Sequence, residues 1–185
     1  GNANTSQIKD VCALDHIFPV DGEVTLYYSD GYHATINDFA LLHQKLGQET
    51  FELVSHGSKG HIPFFNLQTG SGGIIFGLGF SNMWKASFTL VEGGVHVVVR
   101  IPETDFHLYP GESLRNILML AIFWEGDLRR SFNRMRNYLV NYYIPKDENG
   151  EPFPPICCMN WGGMKTHNHL KYIQFLKEND LNFDV

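Results

Sequence analysis

Short apolar runs separated by turn residues fill the first hundred positions of the chain. "EVTLYY" precedes the turn-forming "SDGY", and "FELVSHGSKGH" combines the edge of a strand with a loop. "GGIIFGLGF" and "WKASFTLVEGGVHVVVRI" predict further strands, and "EGG" predicts the hairpin turn within the second segment. Strands of this length and spacing favour a β-sandwich, so we expect a mainly β fold.

A buried strand and a helix are predicted next. The apolar run Ile117–Trp124 is too short for periodicity to distinguish a strand from a helix, and we favour a strand. We expect Asp127 to cap a helix that ends before Pro145. Apolar residues recur on one face of this helix, at Leu128, Phe132, Met135 and Leu139. Its arginines on the other faces are typical of a solvated surface rather than a phosphate site.

The proline-rich segment "IPKDENGEPFPP" predicts a linker at 145–154 between a β-rich portion, 1–144, and a short unit, 155–185. In that unit "ICCMNW" predicts a buried strand and "LNFDV" begins another. Between them, Thr166 is expected to cap a helix with Leu170, Ile173 and Leu176 facing inward. One βα unit cannot bury both faces of a parallel strand, so we expect the chain to be a fragment of a longer protein.

Composition excludes several classes of function. The net charge is −6 and there is no basic run, so we expect no nucleic-acid partner. No stretch of about 18 apolar residues predicts a membrane span. Three cysteines do not make a disulfide framework, and free thiols favour a reducing compartment such as the cytoplasm. Aromatic residues make up 14% of the chain, which suits either carbohydrate contact or ordinary core packing.

Few residues carry candidate chemistry. The glycines of 70–79 fit neither dinucleotide nor P-loop spacing, which favours strand and turn roles. His167 and His169 point about 200° apart on a helix and cannot share one metal there. Cys157 and Cys158 have no assignable base, so a core role is favoured over a nucleophile. Trp161 follows a predicted strand, where an indole either packs against a sugar or plugs the core.

Four segments, in order, resemble glycoside hydrolase family 36, the bacterial α-galactosidases. "GHIPFFNL" and "GGIIFGLGFSNMWKASF" resemble its sandwich segments, and "LYPGESLRNILMLAIFWEGDLRRSFNRMRNYL" resembles its passage from sandwich to barrel. "PPICCMNWGG" resembles its first barrel strand. The resemblance implies part of an N-terminal β-supersandwich, a linking helix and the first βα unit of a catalytic (β/α)8 barrel.

The resemblance also implies an activity, the retaining hydrolysis of terminal α-galactosides by two carboxylates about 5–5.5 Å apart. Both are aspartates on later barrel strands in the family, so we expect no catalytic residue in this chain. The acidic residues Asp38, Asp105, Glu112 and Asp184 are not assigned these roles.

In the family, a tryptophan after the first barrel strand lines the galactose pocket. Trp161 and, more weakly, Asn160 are therefore the predicted substrate-binding residues. Gly162 stands where many members have an acidic residue, which leaves open the preference between galactose and N-acetylgalactosamine. No cofactor or metal is expected, and family members often form homo-oligomers. The alternative is a β-sandwich module that binds carbohydrate or mediates oligomerisation without catalysis.

Overall fold

The computed structural model describes residues 3–57, 59–80, 82–153 and 165–181. The chain divides into two compact units, residues 1–135 and 136–185, and each is described by itself. The predicted strands "ICCMNW" and "LNFDV" lie outside the described residues, wholly or for the most part. The predicted domain boundaries at 144 and 154 therefore stay predictions.

The described residues contain twelve strands and two helices. Their bounds are β1 Ile8–Lys9, β2 Cys12–Phe18, β3 Val24–Ser29, β4 Leu41–Lys45, β5 Phe51–His56, β6 Lys59–Gly60, β7 Phe64–Thr69, β8 Gly72–Leu78, β9 Trp84–Val91, β10 Gly94–Arg100, β11 Asp105–Phe106, β12 Met119–Glu125, α1 Leu128–Tyr142 and α2 Thr166–Glu178. The fold is mainly β, as predicted.

Two five-stranded antiparallel sheets form the first unit. Sheet I has the strand order β2-β10-β9-β5-β6, and sheet II has the order β12-β8-β7-β3-β4. Alternate residues of both sheets point inward and form one core, because side chains on a strand alternate between its two faces. The fully buried members include Leu26 and Leu67 from sheet II and Leu53, Phe88 and Val97 from sheet I.

Three local predictions in this unit are confirmed. β9 and β10 form a hairpin whose turn is Glu92–Gly93, and Gly93 adopts the left-handed φ of 86° that such a turn requires. The apolar run before α1 is the strand β12, since it pairs with β8 along its length. Asp127 caps α1, because its Oδ1 accepts a hydrogen bond from the Arg130 amide at 2.8 Å.

Two predictions for the second unit are wrong. Thr166 is the first residue of α2 rather than its cap; Lys165 occupies the cap position and makes no side-chain capping bond. Leu170 and Ile173 do not face inward, since they are 62% and 54% exposed. Only Leu176 of the predicted apolar stripe is half-buried. The spacing is that of an amphipathic helix, but no described residue covers this face.

The proline-rich segment folds into a hydrogen-bonded turn. The Asp147 carboxylate accepts bonds from the amides of Asn149 and Glu151 at 2.9 and 2.8 Å. Asp147 and Glu151 also pair through their backbones. The backbone bond from Glu151 is the largest influence on the pKa of Asp147 and lowers it. Desolvation raises this pKa but is outweighed.

Candidate functional site

The residues predicted to bind substrate, Trp161 and Asn160, lie outside the described residues, as do Cys157 and Cys158. Their predicted roles therefore stay predictions. The polar clusters that can be built from atoms are all in the first unit.

Three of the four acidic residues set aside from catalysis have structural partners. Asp105 lies beside Lys9 in the short β1–β11 pair and accepts a bond from the Gln7 amide nitrogen at 2.6 Å. Glu112 accepts the backbone N–H of Tyr109 at 2.8 Å. Asp38 organises a loop that is described below, and Asp184 lies outside the described residues. These contacts account for the carboxylates without a catalytic role.

The histidines provide no metal centre in the described part of the chain. His167 and His169 are both exposed near the start of α2. Among the described residues, no group of three or more His, Cys, Asp or Glu side chains could hold a metal ion.

The best-built polar cluster joins Asp30, Tyr28 and His61. Asp30 directly follows β3, and His61 follows the β5–β6 hairpin and forms an isolated antiparallel bridge with Asp30. Nε2 of His61 lies 3.6 Å from Oδ1 of Asp30, and the His61 ring lies 5.6 Å from the Tyr28 ring. Burial, and secondly the Asp30 charge, raise the pKa of Tyr28, so its hydroxyl stays protonated at neutral pH.

Backbone groups of Val54 fix the His61 ring. The Val54 N–H donates to Nδ1 at 3.1 Å, while the His61 N–H donates to the Val54 carbonyl at 3.0 Å. Nδ1 also lies 2.8 Å from the Val54 carbonyl oxygen, and Nε2 faces Asp30. The ring is therefore held by the Val54 backbone whichever nitrogen carries the proton.

This cluster anchors the loop at 31–40 to the β5–β6 hairpin. The Gly31 N–H donates to the Gly60 carbonyl at 2.6 Å, and Nε2 of His33 lies 3.4 Å from the same oxygen. A histidine beside a carboxylate can act in proton-transfer reactions. Here the His61 ring is held by the backbone of Val54 in β5, so the geometry fits a structural strut.

Asp38 holds the loop in a defined conformation. Its carboxylate accepts bonds from the Ala34 and Thr35 amides at 2.9 and 3.1 Å and from the Thr35 hydroxyl at 2.8 Å. Desolvation would raise the pKa of Asp38, but the bonds from Thr35 and its neighbours lower it. Ala34 and Phe39 adopt left-handed φ values of 61° and 60°, which side chains other than glycine rarely adopt.

The loop presents apolar side chains to solvent. Ile36 is 99% exposed and Phe39 is 59% exposed, and Tyr32 and Leu41 flank them with about half of their surface free. We call these four residues the apolar loop. Exposed apolar side chains grouped along one segment are typical of an interaction site.

A buried hydrogen-bond network lies under the first turns of α1. Trp124 Nε1 donates to Asn66 Oδ1 at 2.8 Å, and Asn66 Nδ2 donates to Ser131 Oγ at 2.7 Å. The Ser131 hydroxyl in turn donates to the Leu128 carbonyl at 2.6 Å. Asn66, Trp124 and Ser131 are all buried, so the network ties β7, β12 and α1 together.

Sequence reasoning missed both clusters because their members are far apart along the chain. One signal was available for the second, since an asparagine inside an apolar strand requires partners when it is buried. No protein-family model matches the sequence, and no curated protein matches it significantly. Neither of the described helices is long and apolar enough to cross a membrane.

Proposed function

We propose that this chain is part of a retaining α-galactosidase similar to glycoside hydrolase family 36. In this proposal it supplies the end of the β-supersandwich and the first βα unit of the catalytic barrel. Both catalytic aspartates are provided by residues outside the 185-residue sequence. The substrate class is oligosaccharides with a terminal α-galactose, and two carboxylates suffice for the chemistry without a cofactor.

The proposal rests on the four quoted segments occurring together in order. The described structure supports it in one respect, since three of the segments fall on consecutive parts of one sandwich. They end in β7, span β8 into β9, and run through β12 into α1. The observation that carries most weight is the junction at Gly126–Asp127. There the last strand of sheet II leads directly into a helix that Asn66 ties to the sheet.

The test is hydrolysis of p-nitrophenyl α-galactoside by the product of the complete reading frame that encodes this chain. We expect turnover, with α-galactose as the first anomer seen by NMR, because retaining enzymes preserve the configuration. The 185-residue chain by itself should show none. Turnover by the isolated chain, or an inactive complete product, would overturn the proposal.

Trp161 provides a second test in the complete product. If its indole stacks on galactose, Trp161→Ala should lower kcat/KM by at least about tenfold, because the lost contact stabilises the bound sugar. Trp161→Phe keeps a flat ring and should recover part of the activity. Unchanged kinetics in the alanine variant would assign Trp161 to the core or the rim of the barrel.

The apolar loop favours a second candidate function, self-association through the sandwich. The loop at 31–40 carries a single carboxylate, Asp38, so two copies that meet there bring little charge together. We expect Ile36→Asp to reduce a dimer population in sedimentation velocity. Leu114→Asp, at an exposed leucine elsewhere, is the control and should leave it unchanged. A chain that sediments as a monomer at all concentrations would exclude this candidate.

A further inference from the structure

One side of the sandwich is bounded by two edge strands. β2 ends sheet I and β12 ends sheet II, so each pairs with a neighbour along one edge only among the described residues. Asn116, just before β12, donates its side-chain N–H to the Cys12 carbonyl at 2.8 Å. The Phe18 ring of β2 packs 5.2 Å from Phe76 of β8, the strand next to β12. Both edges therefore lie on the same side, which we call the open side.

Residues on β2 that face the core are not sealed from solvent. In the register with β10, Leu14 and Phe18 pair with Val99 and Val95, which are fully buried. Opposite residues of an antiparallel pair share a face, so Leu14 and Phe18 also point inward. Yet both are only half-buried, and His16 between them is exposed.

The facing strand β12 has the same feature. Phe123 pairs with Ile74 and Ala121 pairs with Phe76, and both partners are buried in the core. Phe123 is nevertheless 64% exposed, and Ala121 is exposed as well. On the neighbouring strands β10 and β8, the core-facing partners of these residues are buried. These core-facing apolar residues are exposed because no described strand covers them at the two edges.

The edge of β2 is also the least protected of the four edges of sheets I and II. Proteins block free edges with short strands, lysines, prolines or covering groups. β6 has two residues, β4 carries Lys45, and an Arg134 Nη1–H donates to the Phe123 carbonyl of β12 at 2.9 Å. β2 has seven residues and neither lysine nor proline, and Asn116 contacts it only at its first residue, Cys12.

We propose that the open side binds an extended polypeptide segment, which adds antiparallel to β2 and places alternate apolar side chains against Leu14, Phe18 and Phe123. Antiparallel addition matches every strand pair of both sheets in the described part of the chain. The core-facing residues named here carry no formal charge when His16 is neutral, so the inner face of the segment is apolar. This inference does not depend on the proposed hydrolase activity.

The negative charge on the outer face of β2 favours a bound segment with a basic residue. Asp15 points outward from β2, and its carboxylate is 65% exposed although it contacts His96. A lysine or arginine on the outer face of the added strand would lie across from it, an arrangement that stabilises cross-strand pairs. A second copy of β2 is a poorer occupant, because antiparallel pairing centred on the strand sets Asp15 against Asp15 of that copy.

The probe is a fluorescein-labelled peptide with the sequence of β10, "GVHVVVR", whose second, fourth and sixth residues are the valines that pair with Phe18, His16 and Leu14 in the native sheet. We expect saturable anisotropy changes on titration with the 185-residue chain. The same peptide with proline at its central valine should bind at least about tenfold more weakly, because proline cannot complete the strand ladder. Hydrogen exchange should show new protection at Ala13–Phe18 when the peptide is bound.

Phe123→Ala removes a side chain that is 64% exposed on the open side, so the substitution should leave the fold intact. We expect this variant to weaken peptide binding by about threefold to tenfold, since it deletes apolar contact area. Phe39→Ala removes a similarly exposed phenylalanine from the apolar loop and should leave binding unchanged. The proposal is overturned by the absence of saturable binding, by equal binding of the proline peptide, or by protection outside β2. A chain that instead dimerises with β2 protected would replace the peptide by a second copy.

Discussion

The Asn66 network permits a quantitative test of how α1 is held to the sheet. Asn66→Ala deletes both side-chain bonds and leaves the Trp124 indole N–H buried without an acceptor. An unpaired buried donor costs about 1–3 kcal/mol, and the cavity left by the amide adds about 1 kcal/mol. Ser131 keeps its bond to the Leu128 carbonyl. We therefore expect the free energy of unfolding to fall by about 2–4 kcal/mol.

Urea denaturation followed by circular dichroism measures this loss. A slope of about 2 kcal/mol per molar urea, in the middle of the usual range, converts it into a midpoint shift of about 1–2 M. Gln48→Ala removes an exposed amide and is the control, with an expected change within about 0.5 kcal/mol.

A double-mutant cycle with Trp124→Phe separates the hydrogen bond from the packing. Phenylalanine has no N–H to leave unpaired, so the second substitution should cost less in the Asn66→Ala background than in the native chain. We expect a coupling energy of about 1 kcal/mol. If the two changes are additive, or if Asn66→Ala costs less than about 0.5 kcal/mol, the network does not hold the helix.

Three further predictions concern other points of the fold. Gly73→Ala should destabilise by about 3 kcal/mol or more in thermal unfolding, because its Cβ would lie 2.0 Å from a backbone oxygen of β7; Gly47→Ala, with nothing within 4 Å, is its control and an equal effect would refute the argument. Asp127→Ala should cost about 1 kcal/mol by loss of the helix cap and Asp127→Asn much less, so equal losses would contradict the capping role. The lowered pKa of Asp38 means that its contribution to loop order is present above the ordinary value of 3.8 and is lost as pH falls through the lower folded pKa. Hydrogen exchange of the Thr35 amide should therefore accelerate on acidification beyond its intrinsic pH dependence, and this excess should vanish in Asp38→Ala.

Local chemistry made much of the fold predictable. The turn at Glu92–Gly93 follows from two strand-forming runs joined by a pair whose glycine accepts a left-handed conformation. The cap at Asp127 follows from a carboxylate placed before an apolar stripe. These features depend on residues within one turn or one hairpin, which the sequence displays directly.

The wrong predictions depended on the backbone conformation at one residue and on contacts from elsewhere in the chain. Thr166 is a reasonable cap by residue type, but capping needs an extended backbone at that position and Lys165 has it. Leu170 and Ile173 repeat at helical spacing, yet burial requires a second surface that no described residue provides. The Asp30–His61 and Asn66–Ser131 pairs were also hidden, because strand order and not spacing brings their members together.

Strand order likewise decides which core-facing residues are buried. His16 and Val97 are directly opposite on neighbouring strands and share a face, but only Val97 is flanked by strands on both sides. Val97 is fully buried whereas His16 is exposed. A strand added to β2 would give His16 and Leu14 the flanking contacts that Val97 and Val99 already have. The exposure at this edge thus follows from its position in the sheet, and peptide binding at β2 would reverse it.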